Sequence, residues 1–155
     1  MYKIKSEVSF DAAHFLPDHQ GKCKNLHGHR YIVSYCVSSQ KLAADGSEAG
    51  MTADFTDLKR IMKEITGNFD HKLLIDTSSE KSRNFAGVCE DMGFETVSFN
   101  HPTTAEHLAE TIYLLYEEAL KKQYKGRVML EYIEVGETPA NRAGYGVYGD
   151  RNESL

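Results

Sequence analysis

The order of the sequence patterns predicts an α+β fold, with two helices on one face of an antiparallel sheet. Two segments near the N-terminus alternate polar and apolar residues, and two further strand-like segments close the chain. Two amphipathic helical segments lie between these pairs, which gives the order β, β, α, α, β, β. A length of 155 residues fits one domain, and we assign residues 1–155 to it.

The first two strands are predicted from alternation with a period of two, which is typical of half-buried antiparallel strands. The apolar sides hold Tyr2, Ile4, Val8, Phe10, Ala12 and His14 in the first strand, and His27, His29, Tyr31, Val33, Tyr35 and Val37 in the second. The connection between them, Phe15 to Leu26, carries Cys23. Connections of this length inside compact domains often serve function.

The two helices are predicted from caps and apolar stripes. The first begins after Asp54, a favourable N-cap, and ends at Gly67. The second begins at a capping box of Thr103 and Glu106 and ends at Gly126. The stripes are Phe55, Leu58, Ile61, Met62 and Ile65 in the first helix, and Leu108, Ile112, Leu115, Ala119 and Leu120 in the second.

The remaining segments are less regular. Residues 76–101 are polar and weakly patterned, and we predict one short helix near Phe85 to Met92. Two closing strands are predicted, from Arg127 to Val135 and from Gly144 to Tyr148.

The composition excludes several classes of function. A net charge of −5 argues against nonspecific nucleic-acid binding, although a local basic patch can still bind an anionic small molecule. The longest strongly apolar run, "IYLLY", is too short to cross a bilayer. The N-terminus lacks the apolar stretch of a signal peptide, so we expect a cytoplasmic protein. The odd count of three cysteines argues against a disulfide framework, and the lack of a CxxC pair argues against a cysteine-rich zinc knuckle.

Three histidines are predicted to face one point. His27 and His29 project to the same side of a strand, and Gly28 leaves space between them. His14 ends the preceding strand on its apolar side, so an antiparallel return places it beside His27. Three imidazoles with an open fourth position favour a zinc site, although copper, iron and nickel also suit this ligand type. The alternative is a set of surface or packed histidines without a metal.

Four other residues are candidates for chemistry. Cys23, close before His27, is a candidate base or nucleophile, or else a fourth ligand or an inert thiol. Asp70 and His71 are an acid–base candidate, with a solvated turn as the alternative. Glu137 ends a mostly apolar strand, where its carboxylate can accept hydrogen bonds from a guanidine-like ligand edge or remain a solvated charge.

Six motifs follow one another in the order of a known family. They are "SFDAAHFL", "CKNLHGH", "DFTDLK", "FDHKLL", "PTTAEHLA" and "VGET". Together they resemble the 6-pyruvoyl-tetrahydropterin synthase family over nearly the whole chain, and within it the bacterial 6-carboxy-tetrahydropterin synthases of queuosine and deazapurine biosynthesis. The three residues between Cys23 and His27 are similar to the spacing of this carboxy-forming branch.

The resemblance implies roles for single residues. His14, His27 and His29 become zinc ligands, and Cys23 becomes the thiolate that abstracts a proton. Asp70 and His71 become its acid–base partner. Glu137 becomes the anchor of the pterin ring.

The resemblance also implies a fold and an assembly. The family has the tunnelling fold, ββααββ, in which three sheets form a barrel and two trimers stack into a homohexamer. Active sites lie between subunits, so Asp70 and His71 are expected to meet Cys23 across an interface. The chain departs from the family pattern in an enlarged segment from Asp76 to Asn100 and in "ETPANRAGYG".

The implied activity is that of a zinc-dependent lyase. It converts 7,8-dihydroneopterin triphosphate to 6-carboxy-5,6,7,8-tetrahydropterin and releases triphosphate and acetaldehyde. Lys22, Lys24 and Arg30 surround the histidine motif and either receive the triphosphate or are solvated charges. Two alternatives remain open: a 6-pyruvoyl-tetrahydropterin synthase, which keeps the three-carbon side chain, and a noncatalytic zinc-binding module.

Overall fold

A computed structural model describes residues 1–147, which form one six-stranded mixed sheet with helices on both faces. The strand order across the sheet is β4-β3-β1-β2-β5-β6. The elements in chain order are β1 (Tyr2–His14), β2 (His27–Ser39), α1 (Phe55–Thr66), β3 (Lys72–Asp76), α2 (Glu80–Asp91), β4 (Thr96–Phe99), α3 (Ala105–Tyr124), β5 (Met129–Gly136) and β6 (Arg142–Gly146).

The paired strands β1 and β2 confirm the two predicted N-terminal strands and set the positions of the histidines. They pair antiparallel from Tyr2 opposite Ser39 to His14 opposite His27. The even positions of β1 are buried from Val8 onward, as the alternation predicts. The apolar sides of both strands face the main core.

Helices α1 and α3 cover the face of the sheet that carries Val8 and Phe10, as predicted. The phenol hydroxyl of Tyr116 in α3 donates a hydrogen bond to the carbonyl of Leu58 in α1 at 3.2 Å, which ties the two helices together. Asp54 caps α1, as expected, because its carboxylate accepts a hydrogen bond from the backbone N–H of Thr56.

Two details of the predicted helices are wrong. The N-cap of α3 is Thr104, whose hydroxyl accepts from the backbone N–H of His107, so the predicted capping box of Thr103 and Glu106 does not form. Each predicted stripe also contains an exposed member, since Phe55 is 50% exposed and Leu115 is 42% exposed. Phe55 lies at the first position of α1, where the helix starts at the edge of the core.

Residues 72–99 add two strands and a third helix to the predicted order of elements. Strands β3 and β4 extend the sheet in parallel orientation, so the sheet is antiparallel only across β1, β2, β5 and β6. The helix predicted near Phe85 to Met92 is α2, which starts earlier, at Glu80. It packs on the other face of the sheet, where Phe85 and Cys89 contact a small cluster with Leu73 and Ile75.

One border of β1 is only partly paired, and the edge strand β6 is short. Strand β3 pairs with β1 only at Ala12 and Ala13. Among the described residues, no second strand pairs with β1 along Ser6–Phe10 on the side away from β2. At the other edge, β6 starts at Arg142, before the predicted Gly144, and the predicted end at Tyr148 lies outside the described residues.

No helix within residues 1–147 combines the length and the apolar character that a membrane crossing needs.

Candidate active site

The three predicted histidines meet on the helix-covered face of the β1–β2 pair. The ring centroids lie 4.6 Å apart for His14 and His27, 4.9 Å for His27 and His29, and 5.2 Å for His14 and His29. One nitrogen atom from each ring lies within 4.8 Å of the others. The register explains the cluster, because His14 lies directly opposite His27 and Ala12 leaves room opposite His29.

Backbone carbonyl groups orient two of these rings. The Nδ1–H of His14 donates to the carbonyl of Thr103, and that of His27 donates to the carbonyl of Asn25, both at 2.7 Å. These bonds fix the tautomer that leaves Nε2 as the free lone pair, which is the usual outer arrangement around a metal-binding histidine. Burial lowers the pKa of His14 to about 4, so its ring is neutral at pH 7 and able to ligate.

The donor set fits a metal ion. The Nε2 atoms of His14 and His29 are buried and have no hydrogen-bond partner. A buried nitrogen without a partner is unfavourable, and two of them aimed at one point are explained by a shared ligand. Neutral imidazoles suit zinc, copper, iron and nickel, so the donor set indicates a transition-metal ion.

Glu137 lies on the open side of the trio. Its two carboxylate oxygens are 3.8 Å from Nε2 of His14 and 4.0 Å from Nε2 of His29. It directly follows β5, and its backbone N–H donates to the carbonyl of Asn141 in the turn that leads to β6. The strand end predicted from the sequence therefore brings this carboxylate to the histidines.

Cys23 lies in a short 3-10 helix, Lys22–Lys24, within the β1–β2 connection. It is partly exposed, and its carbonyl accepts from the backbone N–H of Leu16 at 2.8 Å, which folds the connection back toward β1.

Tyr31 is a member of the site that the sequence reasoning missed. Its side chain is fully buried, its ring lies edge-on to His29 and His14 at 5.4 and 5.9 Å, and its hydroxyl has no partner. Burial, followed by the charges of Glu137 and Cys23, raises the pKa of this hydroxyl. The signal was present, because Tyr31 continues the alternation of His27 and His29.

Asp70 and His71 form a pair, but they lie on the other face of the sheet from the histidine trio. The Nδ1–H of His71 is 3.0 Å from a carboxylate oxygen of Asp70. The other oxygen of Asp70 accepts from the backbone N–H of Asp11 at 2.9 Å. Asp11 has the opposite parity from His14 on β1, so within one chain this pair does not meet Cys23.

A second group of potential ligands, Asp11, Asp70 and His71, differs from the histidine trio in its hydrogen bonding. Asp11 is bound by Arg30, and Asp70 is bound by the Asp11 backbone and His71. These contacts already satisfy the carboxylates, so this group does not require an ion.

Lys22 and Arg30, two of the candidates for binding the triphosphate, occupy different surroundings. Lys22 starts the 3-10 helix beside Cys23 and is exposed. Arg30 lies on the opposite side of β2 from His27 and His29, and its Nε and Nη2 atoms each donate to a carboxylate oxygen of Asp11 at 3.0 Å.

Comparison with known proteins finds one family and relatives that share one name. Residues 3–147 match the family described as 6-pyruvoyl tetrahydropterin synthase. The chain is 35% identical over 148 residues to the 6-carboxy-5,6,7,8-tetrahydropterin synthase of Haemophilus influenzae, which covers 94% of this chain and 99% of that protein. It is 36% identical over 146 residues to the enzyme of the same name from Synechocystis, with 94% and 93% coverage.

Solved structures share the fold. An uncharacterized protein from Wolinella succinogenes superimposes with a TM-score of 0.76 at 20% identity, covering 96% of this chain and 98% of that one. The 6-pyruvoyl tetrahydropterin synthase of Plasmodium falciparum gives a TM-score of 0.67 at 20% identity, with 93% and 96% coverage. The tunnelling fold is thus confirmed for the single chain. The chain belongs to the 6-pyruvoyl tetrahydropterin synthase family.

Proposed function

We propose that this protein is a zinc-dependent lyase that converts 7,8-dihydroneopterin triphosphate to 6-carboxy-5,6,7,8-tetrahydropterin, releasing triphosphate and acetaldehyde. The single observation that carries this proposal is the gathering of His14, His27 and His29 beside Glu137, with two buried Nε2 atoms unpartnered. The names of the Haemophilus influenzae and Synechocystis relatives support the carboxy-forming reaction.

His14, His27 and His29 are the residues that would hold the zinc ion. When bound, zinc supplies Lewis acidity toward the hydroxyl groups of the substrate side chain. The protein's own contribution is orientation, since the carbonyls of Thr103 and Asn25 fix two of the rings.

Cys23 is proposed as the base that removes a proton from the side-chain carbon. The hydrogen bond from the Leu16 N–H to the Cys23 carbonyl supports this role, because it folds the connection back toward the end of β1 that carries His14. The Asp70–His71 pair is proposed as the acid–base partner, because the Asp70 carboxylate orients the ring through its Nδ1–H. Because this pair lies on the opposite face of the sheet from the histidines, we propose that it comes from another subunit.

Glu137 is proposed as the anchor of the pterin ring. Its carboxylate is 24% exposed and lies over the open side of the trio. Two carboxylate oxygens match the paired donors of a pterin amino group and its neighbouring ring N–H. Exposed Lys22 is proposed to contact the triphosphate, since a lysine close to Cys23 can neutralise part of its charge.

A homo-oligomer is part of the proposal. An edge strand that leaves backbone donors and acceptors exposed is a template for another chain. Along Ser6–Phe10, the outer edge of β1 carries no strand of the described residues, and β6 forms the opposite edge. Pairing β6 of one subunit with β1 of the next would close sheets into a barrel, and two such trimers would make the expected homohexamer.

The pathway and compartment follow from the same chemistry. A 6-carboxy-tetrahydropterin product suits queuosine and deazapurine biosynthesis, as the motifs imply. We also propose a cytoplasmic location, where a free thiol at Cys23 stays reduced.

The test is incubation of the purified, zinc-loaded protein with 7,8-dihydroneopterin triphosphate, followed by identification of all products. We expect the 6-carboxy product, triphosphate and acetaldehyde in equal amounts. Triphosphate and a 6-pyruvoyl product without acetaldehyde would instead identify the pyruvoyl-forming activity. A protein that binds zinc and leaves the dihydropterin intact would contradict an enzymatic function.

A further inference from the structure

The face of the β1–β2 pair that points away from the histidine trio, the outer face, carries a chain of hydrogen bonds that ends at His71. Arg30 donates from Nε and Nη2 to the two carboxylate oxygens of Asp11, each at 3.0 Å. The backbone N–H of Asp11 donates to Asp70 at 2.9 Å, and Asp70 in turn is 3.0 Å from Nδ1 of His71. Every link is within hydrogen-bonding distance.

The backbone of Asp11 also holds His71 directly. The N–H of His71 donates to the carbonyl of Asp11 at 2.6 Å. His71 has a φ of 59°, in the left-handed region, where a residue with a side chain is disfavoured by about 1 kcal/mol or more. Both backbone groups of Asp11 therefore fix the Asp70–His71 pair, and this single residue determines where the imidazole lies relative to the sheet.

These hydrogen bonds bring the carboxylates of Asp11 and Asp70 close together. The Arg30 guanidinium is the main cause that holds the pKa of Asp11 below its usual value. The pKa of Asp70 is lowered first by the hydrogen bond from the Asp11 backbone, while the charge of Asp11 opposes this. Without Arg30, two negative charges would share one exposed site beside the imidazole, and like charges at this range repel.

We propose that Asp11 and Arg30 are positioning residues for the Asp70–His71 pair, with Arg30 serving as the counter-charge of Asp11 rather than as a contact to the triphosphate. This inference rests on the proposed acid–base role of Asp70 and His71. Asp11 fixes the geometry through its backbone, and its carboxylate with Arg30 sets the local charge that the imidazole experiences.

Other charged groups near His71 are already paired with each other. Lys72 and Glu95 line the same cavity as His71, on β3 and just before β4, and their side chains lie 3.4 Å apart. Because both signs are present, this pair adds little net charge. Asp11 lines this cavity as well, and the Asp11–Arg30 pair is the one bonded directly to Asp70, so its charge is the one to change.

The experiment is a charge cycle on the zinc-loaded protein, with Asp11→Asn, Arg30→Gln and the double variant. The His71 ring is followed by NMR titration without substrate, and kcat and KM are measured with substrate. We expect the titration midpoint to rise in Arg30→Gln and to fall in Asp11→Asn, each by about 0.3–0.5 pH unit. The double variant should return close to the unaltered chain, because its charge balance is restored.

The kinetic result should follow the same pattern. We expect kcat to fall about 5- to 10-fold in Arg30→Gln, with KM within about twofold, and to recover in the double variant. Arg60→Gln is the matched control, since Arg60 also binds two carboxylates, Asp57 and Glu64, but on α1. It should leave the titration and kcat unchanged.

Two results would overturn the inference. A raised KM that is equal in Arg30→Gln and in the double variant would identify Arg30 as a triphosphate contact. Titration midpoints that do not move in either single variant would show that the pair does not act on His71. The NMR arm requires no turnover, so it separates this inference from a failure of the proposed reaction.

Discussion

The two faces of the β1–β2 pair carry polar clusters that are held in different ways. On the covered face, His14 is 2% exposed, and its ring is fixed by a backbone carbonyl and surrounded by other rings. On the outer face, the side chain of His71 is 78% exposed and is held by charged neighbours. The buried cluster leaves nitrogen atoms unsatisfied, whereas the hydrogen bonds of the exposed cluster already engage its carboxylates.

This difference in burial suits the two clusters to different kinds of chemistry. Burial keeps water away from the histidines and makes an unsatisfied nitrogen unfavourable, so the covered cluster is built to bind a ligand tightly. Exposure screens charges on the outer face, so that cluster suits a group that must exchange protons. The β1–β2 pair thus has the proposed metal site on one side and the proposed acid–base group on the other.

The largest effect is expected from removing a metal ligand. His27→Ala should weaken zinc binding by more than about 100-fold and abolish turnover, because two imidazoles do not complete the site. The measurement is zinc content after dialysis, with His19→Ala as the control, since His19 is an exposed histidine of the same connection. Retention of one zinc per chain in His27→Ala would contradict the assignment.

The next effect is expected from the thiol. Cys23→Ala should lower kcat by about 100- to 10,000-fold while zinc content stays unchanged, because the change removes the proposed base and no ligand. Cys89→Ala is the control, as Cys89 is a buried residue of α2, which packs on the other face of the sheet. Loss of zinc in Cys23→Ala would mean that Cys23 ligates the ion.

A mixing experiment tests whether the two faces meet between subunits. Cys23→Ala and His71→Ala should each be inactive alone. Coexpressed in equal amounts, they should recover up to roughly a quarter of full activity, because random assembly joins an intact Cys23 with an intact His71 at that fraction of sites. No recovery, despite confirmed mixed assembly, would argue that the site lies within one chain.

The smallest effect is expected on the stability of the metal-free protein. Folding holds the pKa of His14 near 4, below its ordinary value of 6.5. The unfolded chain therefore takes up a proton as the pH falls below about 6.5, while the folded chain does not, and the folded state loses stability until about pH 4. Urea unfolding at pH 7 and pH 5 should show a loss on the order of 2 kcal/mol, and His14→Gln should reduce it.

The sequence predicts the position of the three histidines on the covered face well, for a specific physical reason. Strand alternation puts His27 and His29 on one side, and the antiparallel return brings His14 to them. The prediction of the capping residue was wrong because Thr103 and Thr104 are chemically alike. Only the tertiary structure shows that the carbonyl of Thr103 binds His14, while the hydroxyl of Thr104 caps α3.

The outer face and the enlarged segment were harder to predict. The left-handed backbone at His71 has no signal in the sequence, so the bond between the adjacent residues Asp70 and His71 was not expected. Strand β3, with the sequence "KLLID", is a short apolar run without alternation, which fits a strand buried on both faces but also part of a helix. Helix α2 buries only Ser82 and Cys89 among its residues, too few for a clear stripe.

The limited contact between β3 and β1, at Ala12 and Ala13 alone, has a consequence for how the chain can tolerate changes in residues 72–99. The unit formed by β3, α2 and β4 is attached to β1 at one corner, next to the histidines, and leaves most of the outer edge of β1 uncovered. Changes of length or sequence within this corner unit are therefore expected to leave the backbone donors and acceptors along the rest of β1 unaltered.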